Sequence, residues 1–236
     1  MKVILFIARY IKYFCTAKTK YNAHSPFLYQ FITKVLNKDT QDTNCTKIEQ
    51  LRSQLYNSNI IIEITDFGAG SHINKSKKRK IKDIAKNSAK NSKFGKLLYR
   101  IVQFYKPNNI LELGTSLGIS TLYLAKARDR SKIYSLEGCP ETIKIAKKNF
   151  DILKAKNINT ILGDFENTLQ KNLKHIKNID LAFIDGNHQQ KATIKYFEQC
   201  LIYSNNNTIL IFDDIHWSKG MENAWNYIKT HKKTTL

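Results

Sequence analysis

The 236-residue sequence predicts an α/β fold in which a parallel sheet carries helices on both faces. A buried-strand pattern at residues 109–113 passes through a glycine-containing loop into a helical pattern that ends near Ala127. Beyond it, strand-like and helix-like segments alternate to about residue 228. Several of these strand-like segments end in an acidic residue. Because ligands of such sheets bind at the carboxyl ends of the strands, we expect the functional groups there.

The domain plan divides the chain at residue 91. Residues 1–91 are predicted to form an N-terminal helical cap and a lid segment, and residues 92–236 a ligand-binding domain. The first twenty residues contain an apolar run that is too short to span a membrane and is interrupted by Arg9 and Lys12. This run is interpreted as an amphipathic helix that packs on the ligand-binding domain, with a membrane-surface helix as the alternative.

The rest of the N-terminal part alternates helices and loops. Ser25 and Pro26 are typical of a helix start, and the helix is predicted to continue to Leu36. Residues 37–47 read as a loop and residues 47–56 as a further helix.

A second glycine-containing stretch, ITDFGAGS at residues 64–71, follows an apolar run but leads into a basic, polar segment. No apolar helix is expected there, so this stretch is not the ligand loop. Residues 66–80 are interpreted as a lid or substrate-side loop, or equally as a plain surface loop.

The ligand-binding domain begins with an amphipathic helix from Ser92 that leads into the first strand. Four more strand patterns follow, each separated from the next by a helical pattern. The predicted strands carry the sequences NILEL, SKIYSLE, INTILGD, IDLAFID and NTILIFDD.

The loop after the first strand has the spacing G-x-x-x-G, with Thr115 and Ser116 between Gly114 and Gly118. Glycines allow a ligand to approach the backbone closely and allow positive φ. The spacing is neither a dinucleotide fingerprint nor a phosphate loop. The nearby acid Glu112 would repel a pyrophosphate and suits a ligand with a cationic end. The stretch resembles the first motif of the class I S-adenosylmethionine-dependent methyltransferases; an ordinary strand–turn–helix is the alternative.

The resemblance implies a Rossmann-like, doubly wound parallel sheet in the order 3-2-1-4-5, which in these enzymes is completed by a C-terminal antiparallel hairpin. Here only about five residues follow the last predicted helix, too few for a hairpin. We therefore expect the hairpin to be missing and strand five, about residues 208–212, to be an unpaired edge. A homodimer, a covering N-terminal segment or a shortened chain could each account for this. The shortened chain is favoured, because the lysine codons after His231 are a place where the reading frame of an AT-rich gene can slip.

Two acids lie on the cofactor side of the predicted sheet. Glu137 ends strand two, 19 residues after Gly118, where a carboxylate can accept hydrogen bonds from both ribose hydroxyls. Asp164 ends strand three, and the resemblance implies a position beside the adenine amino group. Asp164 could equally be the N-cap of the helix that follows.

Asp185 follows strand four, and Asp213 and Asp214 follow strand five. Three hard oxygen ligands on neighbouring strand ends suit Mg²⁺ or another divalent cation. Over about residues 94–228 the constellation resembles the metal-dependent O-methyltransferases of the catechol and macrocin types. The catechol-type enzymes carry a general-base lysine three residues after the first metal aspartate. Here that position is His188, which is predicted to act as the base with Asp185, although it could simply cap a loop.

The formal net charge of +20 is a weak indicator of nucleic-acid binding. Lysine outnumbers arginine 33 to 6, whereas nucleic-acid recognition favours arginine. A nucleic-acid partner is therefore possible but not favoured. The four scattered cysteines, with no C-x-x-C pair, indicate a reduced, cytoplasmic protein without a zinc ribbon or a disulfide framework. The short N-terminal apolar run predicts no transmembrane segment.

The sequence thus predicts an S-adenosylmethionine-dependent methyltransferase that transfers a methyl group to an oxygen of a small hydroxylated acceptor, with a divalent cation assisting. A metal-independent methyltransferase acting on RNA is the alternative enzyme. A catalytically silent nucleotide-binding module is the alternative of another class, and the retained acids argue against it.

Overall fold

The computed structural model describes Ile11, Cys15 and residues 25–65, 67–68, 76–87 and 89–235. The chain divides into two compact units, Met1–Asp39 and Thr40–Leu236. The predicted helix within residues 1–20 lies outside the described residues, except that Ile11 and Cys15 are helical. The predicted boundary at residue 91 falls inside the second unit, and the assignment of cap and lid roles to residues 1–91 stays a prediction.

In the first unit, helix α1 spans Pro26–Gln30. Its predicted cap is confirmed, because the Leu28 amide donates to the Ser25 hydroxyl oxygen at 3.5 Å. The helix continues as a π-helical turn over Phe31–Leu36, which confirms the predicted end at Leu36.

The second unit begins with helix α2, Thr43–Tyr56. It starts within the predicted loop because Asp42 accepts a hydrogen bond from the Asn44 amide at 2.8 Å and so acts as the N-cap. Strands β1 (Ile61–Glu63) and β2 (Lys78–Lys80) form an antiparallel ribbon.

Helix α3, Ile81–Asn87, corrects the expectation that no helix with an apolar face lies in this basic segment. It buries Ile81, Ile84 and Ala85, the few apolar residues of the segment.

Helix α4 spans Ser92–Tyr105 and leads into the five-stranded sheet, as predicted. The remaining strands are β3 (Asn109–Leu113), β4 (Lys132–Glu137), β5 (Ile158–Leu162), β6 (Ile179–Ile184) and β7 (Ser204–Phe212). The remaining helices are α5 (Ile119–Ala127), α6 (Pro140–Ile152), α7 (Phe165–Ile176), α8 (Gln190–Ile202) and α9 (Lys219–Lys229).

All neighbouring strands of this sheet are parallel, in the order β5-β4-β3-β6-β7. This is the predicted order 3-2-1-4-5, with β3 central. The central strand is buried on both faces, where Ile110, Leu111, Leu113 and the carboxylate-bearing Glu112 are all fully buried. Each face of the sheet has its own hydrophobic cluster, one around Tyr123 and the other around Tyr196.

Strand β7 forms the edge of this sheet. Within residues 89–235 it pairs with β6 alone, and no strand follows α9. It begins earlier than predicted because Ser204 pairs with Ile179 before a register shift. Among the described residues, no helix has the length and apolar character needed to cross a bilayer.

Candidate active site

A cavity of about 600 Å³ opens at the carboxyl ends of the strands. It brings together predicted site residues from the ends of all five strands of the parallel sheet, as expected for a doubly wound sheet. Those that line it are Gly114, Ser116, Glu137, Asp164, Asp185, His188, Asp213 and Asp214. Three other predicted cofactor residues, Glu112, Thr115 and Gly118, do not line it.

The glycine loop has the backbone that its sequence predicts. Gly114 has φ +104° and Gly118 has φ +81°, both in the region that disfavours side chains. A Cβ at Gly114 would overlap the carbonyl oxygen of Asp185. The loop after β3 therefore lies directly against the loop after β6.

Glu112 is fully buried behind the loop rather than in the cavity. Its carboxylate accepts hydrogen bonds from the hydroxyls of Ser120 and Ser135, each at 2.6 Å, and from that of Thr121. These contacts tie the start of α5 to strand β4. Burial raises the pKa of Glu112, and the three hydroxyls oppose this effect.

The raised pKa gives the first testable prediction, for Glu112→Gln. Above pH 4.5 the unfolded chain loses the Glu112 carboxyl proton, whereas the folded protein keeps it up to its own, higher pKa. The stability of the wild type therefore falls as the pH rises from 4.5 towards the pKa of the folded protein. Glutamine does not titrate. We expect the melting temperature of Glu112→Gln, relative to wild type, to rise over this range, by about 2–4 °C for each 1 kcal/mol. Thermal unfolding between pH 4.5 and 8 measures this, and Glu141→Gln, at an exposed position, is the control. A constant difference across the range would contradict it.

Glu137 lies at the end of β4 and lines the cavity. Its two carboxylate oxygens accept hydrogen bonds from the Ser116 amide at 2.7 Å and the Cys139 amide at 2.8 Å. One side chain thus holds the glycine loop and the loop after β4 together. Each carboxylate oxygen can accept a further bond, so the predicted ribose contact is compatible with this geometry.

Asp164 is the N-cap of α7, since it accepts a hydrogen bond from the Glu166 amide at 3.2 Å. It also lines the cavity. The other oxygen accepts a hydrogen bond from the Asn167 side-chain amide at 3.3 Å. Both alternatives raised by the sequence are compatible, because each carboxylate oxygen can accept more than one hydrogen bond.

The acids after β6 and β7 form one cluster with His188. Ligand atoms of Asp185, His188 and Asp214 all lie within 4.8 Å of one another. His188 Nε2 is 3.6 Å from an oxygen of Asp214, and the His188 ring lies 5.9 Å from that of Trp217. His188 and Asp214 have φ +44° and +51°, so the backbone of both loops is strained at the site.

Lys90 is the site residue that sequence reasoning missed. Its ammonium lies 3.1 Å from an oxygen of Asp185 and also contacts Asp213. Burial alone would lower the pKa of Lys90, but the two carboxylates outweigh burial and raise it, so the ammonium keeps its charge. Burial raises the pKa of Asp185 to about 7 against the opposing effect of Lys90. The run of lysines around position 90 gave no signal to single this one out.

The donor set of the cluster fits a divalent cation. Two carboxylates and an imidazole within 4.8 Å are hard and borderline ligands of the kind that bind Mg²⁺, Mn²⁺ and related ions. The set differs from the predicted trio, because His188 joins it and Asp213 is engaged by Lys90.

A buried hydrogen-bond acceptor belongs to one of the residues that line the cavity. The Asn187 side-chain amide donates to the Tyr196 hydroxyl at 2.9 Å, while its buried carbonyl oxygen has no hydrogen-bond partner among the described residues. A buried acceptor without a donor is costly unless a ligand supplies one.

Residues 111–215 match a family model described as a methyltransferase domain. This match covers the glycine loop, Glu137, Asp164 and the acids after β6 and β7. Over these residues the chain is therefore similar to methyltransferases.

Two curated relatives are methyltransferases that act on oxygen, by name. The catechol O-methyltransferase of Niastella koreensis is 29% identical over 126 residues, which is 51% of this chain and 55% of the relative. The protein-L-isoaspartate O-methyltransferase of Pyrococcus horikoshii is 38% identical over 56 residues, 24% of this chain and 25% of the relative. The chain thus spans about half the length of the first relative and a quarter of the second.

Solved structures share the fold of this chain. The O-methyltransferase of Bacillus cereus, solved with S-adenosylhomocysteine, has a TM-score of 0.56 at 19% identity and covers 87% of this chain and 85% of its own. The O-methyltransferase TomG of Streptomyces achromogenes, solved with S-adenosylmethionine, has a TM-score of 0.57 at 15% identity. The match covers 88% of this chain and 84% of TomG.

Proposed function

We propose that this protein transfers the methyl group of S-adenosylmethionine to an oxygen of a small hydroxylated acceptor, with a divalent cation assisting. The observation that carries the proposal is that the cofactor-side residues Ser116 and Glu137 share one cavity with the cluster of Asp185, His188 and Asp214. A methyl donor on one side and groups that handle an acceptor oxygen on the other are what such a reaction needs.

On the cofactor side, Glu137 accepts the ribose hydroxyls while it holds the glycine loop. Asp164 lies where it can accept from the adenine amino group. Glu112, Thr115 and Gly118 support the loop from behind and act on the cofactor only through it. Gly114 lets the loop after β6 pack directly against the glycine loop, which brings Asp185 next to the cofactor-side residues.

On the acceptor side, His188 takes the proton of the acceptor hydroxyl, and Asp214 orients the imidazole. The acceptor oxygen then attacks the methyl carbon in line with the sulfur. The carbon–sulfur bond breaks, its electron pair stays on sulfur, and S-adenosylhomocysteine leaves. Positioning of the two reactants supplies most of the rate enhancement.

Asp185, His188 and Asp214 would hold the divalent cation. When bound, such an ion lowers the pKa of a coordinated hydroxyl and so eases its deprotonation. His188 would then serve either as a ligand of the ion or as the base, because a neutral imidazole has only one nitrogen with an available lone pair.

The test of the proposal has two readouts. We expect calorimetric titration to show binding of S-adenosylmethionine and S-adenosylhomocysteine with or without chelator. We expect transfer from labelled cofactor to a panel of small hydroxylated compounds to be lost in excess chelator and restored by Mg²⁺ or Mn²⁺. Tight binding of NADH with none of S-adenosylmethionine would contradict the methyltransferase proposal.

Metal-independent transfer is the second candidate, and the Lys90 contacts are the observation that favours it. An ammonium already contacts both Asp185 and Asp213 and offsets part of their negative charge. Full transfer in excess chelator would select this candidate, and total RNA in the acceptor panel tests the nucleic-acid alternative.

A further inference from the structure

We propose that the Lys90 ammonium is an internal cation that competes with a divalent ion for the carboxylates after β6 and β7. The inference rests on the proposed divalent site and adds a residue that sets its affinity. In the structure, Lys90 contacts one oxygen each of Asp185 and Asp213. Asp185 also belongs to the candidate cation cluster, so the two cations share a ligand.

Lys90 is placed there by the fold rather than by chance contact of a surface side chain. The buried Arg52 of α2 donates a hydrogen bond to the Lys90 carbonyl oxygen. The next residue, Asn91, is the N-cap of α4 and accepts from the Phe94 amide at 3.1 Å. The backbone of Lys90 is therefore fixed on both sides, and its side chain is only 16% exposed.

Charge explains why the ammonium lies at this point. Asp185, Asp213 and Asp214 would bring three negative charges together in a partly buried place, which is unfavourable without a cation. Lys90 supplies one positive charge to Asp185 and Asp213. A divalent ion at Asp185 would meet an ammonium that already occupies the same carboxylate and repels it.

The ion therefore binds by displacing Lys90 from Asp185, and the ammonium lowers the apparent affinity of the site. In the opposite arrangement, Lys90 would orient Asp185 for the ion. Removing the Lys90 charge would then weaken binding of the ion, whereas competition predicts tighter binding. The two are separable by direct metal binding without any acceptor.

The experiment measures Mn²⁺ affinity by the electron paramagnetic resonance signal of the free ion. It compares wild type with Lys90→Met, which removes the charge but keeps the length of the side chain. Lys86→Met is the matched control, because Lys86 lines the same cavity. We expect Lys90→Met to bind Mn²⁺ at least tenfold more tightly than wild type. We expect Lys86→Met to change the affinity less than threefold, and Lys90→Arg, which keeps the charge, to bind no more tightly than wild type.

Equal or weaker Mn²⁺ binding by Lys90→Met would overturn the inference, as would the absence of Mn²⁺ binding in both proteins. Titration of the same proteins with S-adenosylhomocysteine in chelator reports separately on the methyltransferase proposal. If both proteins bind S-adenosylhomocysteine and Lys90→Met has the Mn²⁺ affinity of wild type, only the proposed competition is wrong. If wild type does not bind S-adenosylhomocysteine, the proposed function is wrong. Should Lys90→Met fail to fold, Lys90→Gln makes the same charge change with a side chain that can hydrogen-bond to Asp213.

Discussion

Glu137→Ala is expected to weaken S-adenosylhomocysteine binding by at least about 100-fold. The carboxylate holds the amides of Ser116 and Cys139 and faces the cavity. Its loss frees both loops and removes the two proposed bonds to ribose hydroxyls. A hydrogen bond to a charged group contributes roughly 1.5–3 kcal/mol, so two amount to about 3–6 kcal/mol before compensation. Isothermal titration calorimetry measures the change.

Glu141→Ala is the matched control for this variant. Glu141 lies in the first turn of α6, and its carboxylate pairs with Lys144 at the exposed surface. Its replacement changes the charge of the protein equally and should leave cofactor affinity within about threefold. An equally small effect of Glu137→Ala would remove this residue from the cofactor site.

Gly114→Ala is expected to cause the largest loss of stability, with cofactor binding lost as well. The added Cβ overlaps the Asp185 carbonyl oxygen, a backbone atom that cannot turn away, and φ of +104° disfavours any side chain. Left-handed backbone alone costs about 1–2 kcal/mol, and the overlap adds to it. We expect the melting temperature to fall by at least about 5 °C, as measured by differential scanning calorimetry.

Gly220→Ala provides the comparison. Its Cβ would lie 3.3 Å from the nearest atom, a side-chain carbon of Gln190, and Gly220 lies in helix α9. We expect a change within about 2 °C, since alanine also favours the helix. A Gly114→Ala protein as stable as Gly220→Ala would show that the two loops separate readily.

The sheet was predictable because its signals are local. Ile110, Leu111 and Leu113 form a short apolar run, typical of a strand buried on both faces, between a turn at Pro107 and the glycine loop. The alternation of strands and helices after it leaves few topologies. The acids at strand ends were predictable for the same reason, since parallel strands bring their ends together. Residue type and position along the chain were sufficient to predict both the sheet and the acids at its strand ends.

The contacts across the chain were not predictable. Lys90 reaches Asp185 and Asp213 across 95 and 123 positions, and nothing local distinguishes it from its neighbouring lysines. The direction of the Glu112 side chain was not predictable either. Its carboxylate lies behind the glycine loop, away from the cavity, where the Ser120 hydroxyl donates to it. A sequence shows which residue ends a strand but not which way that residue points, nor which distant charge meets it.

The acids at the cavity lie in a protein whose formal net charge is +20. The electric field inside the cavity therefore differs in sign from the field that the whole protein produces in the surrounding solvent. At physiological ionic strength, charges more than about 8 Å apart are largely screened. An approaching molecule first meets the basic surface, which draws anions and slows the arrival of cations such as S-adenosylmethionine. Inside the cavity, the carboxylates then favour the cationic sulfonium. Dissolved salt therefore acts mainly on how fast a ligand arrives, and much less on how tightly the innermost carboxylates hold it.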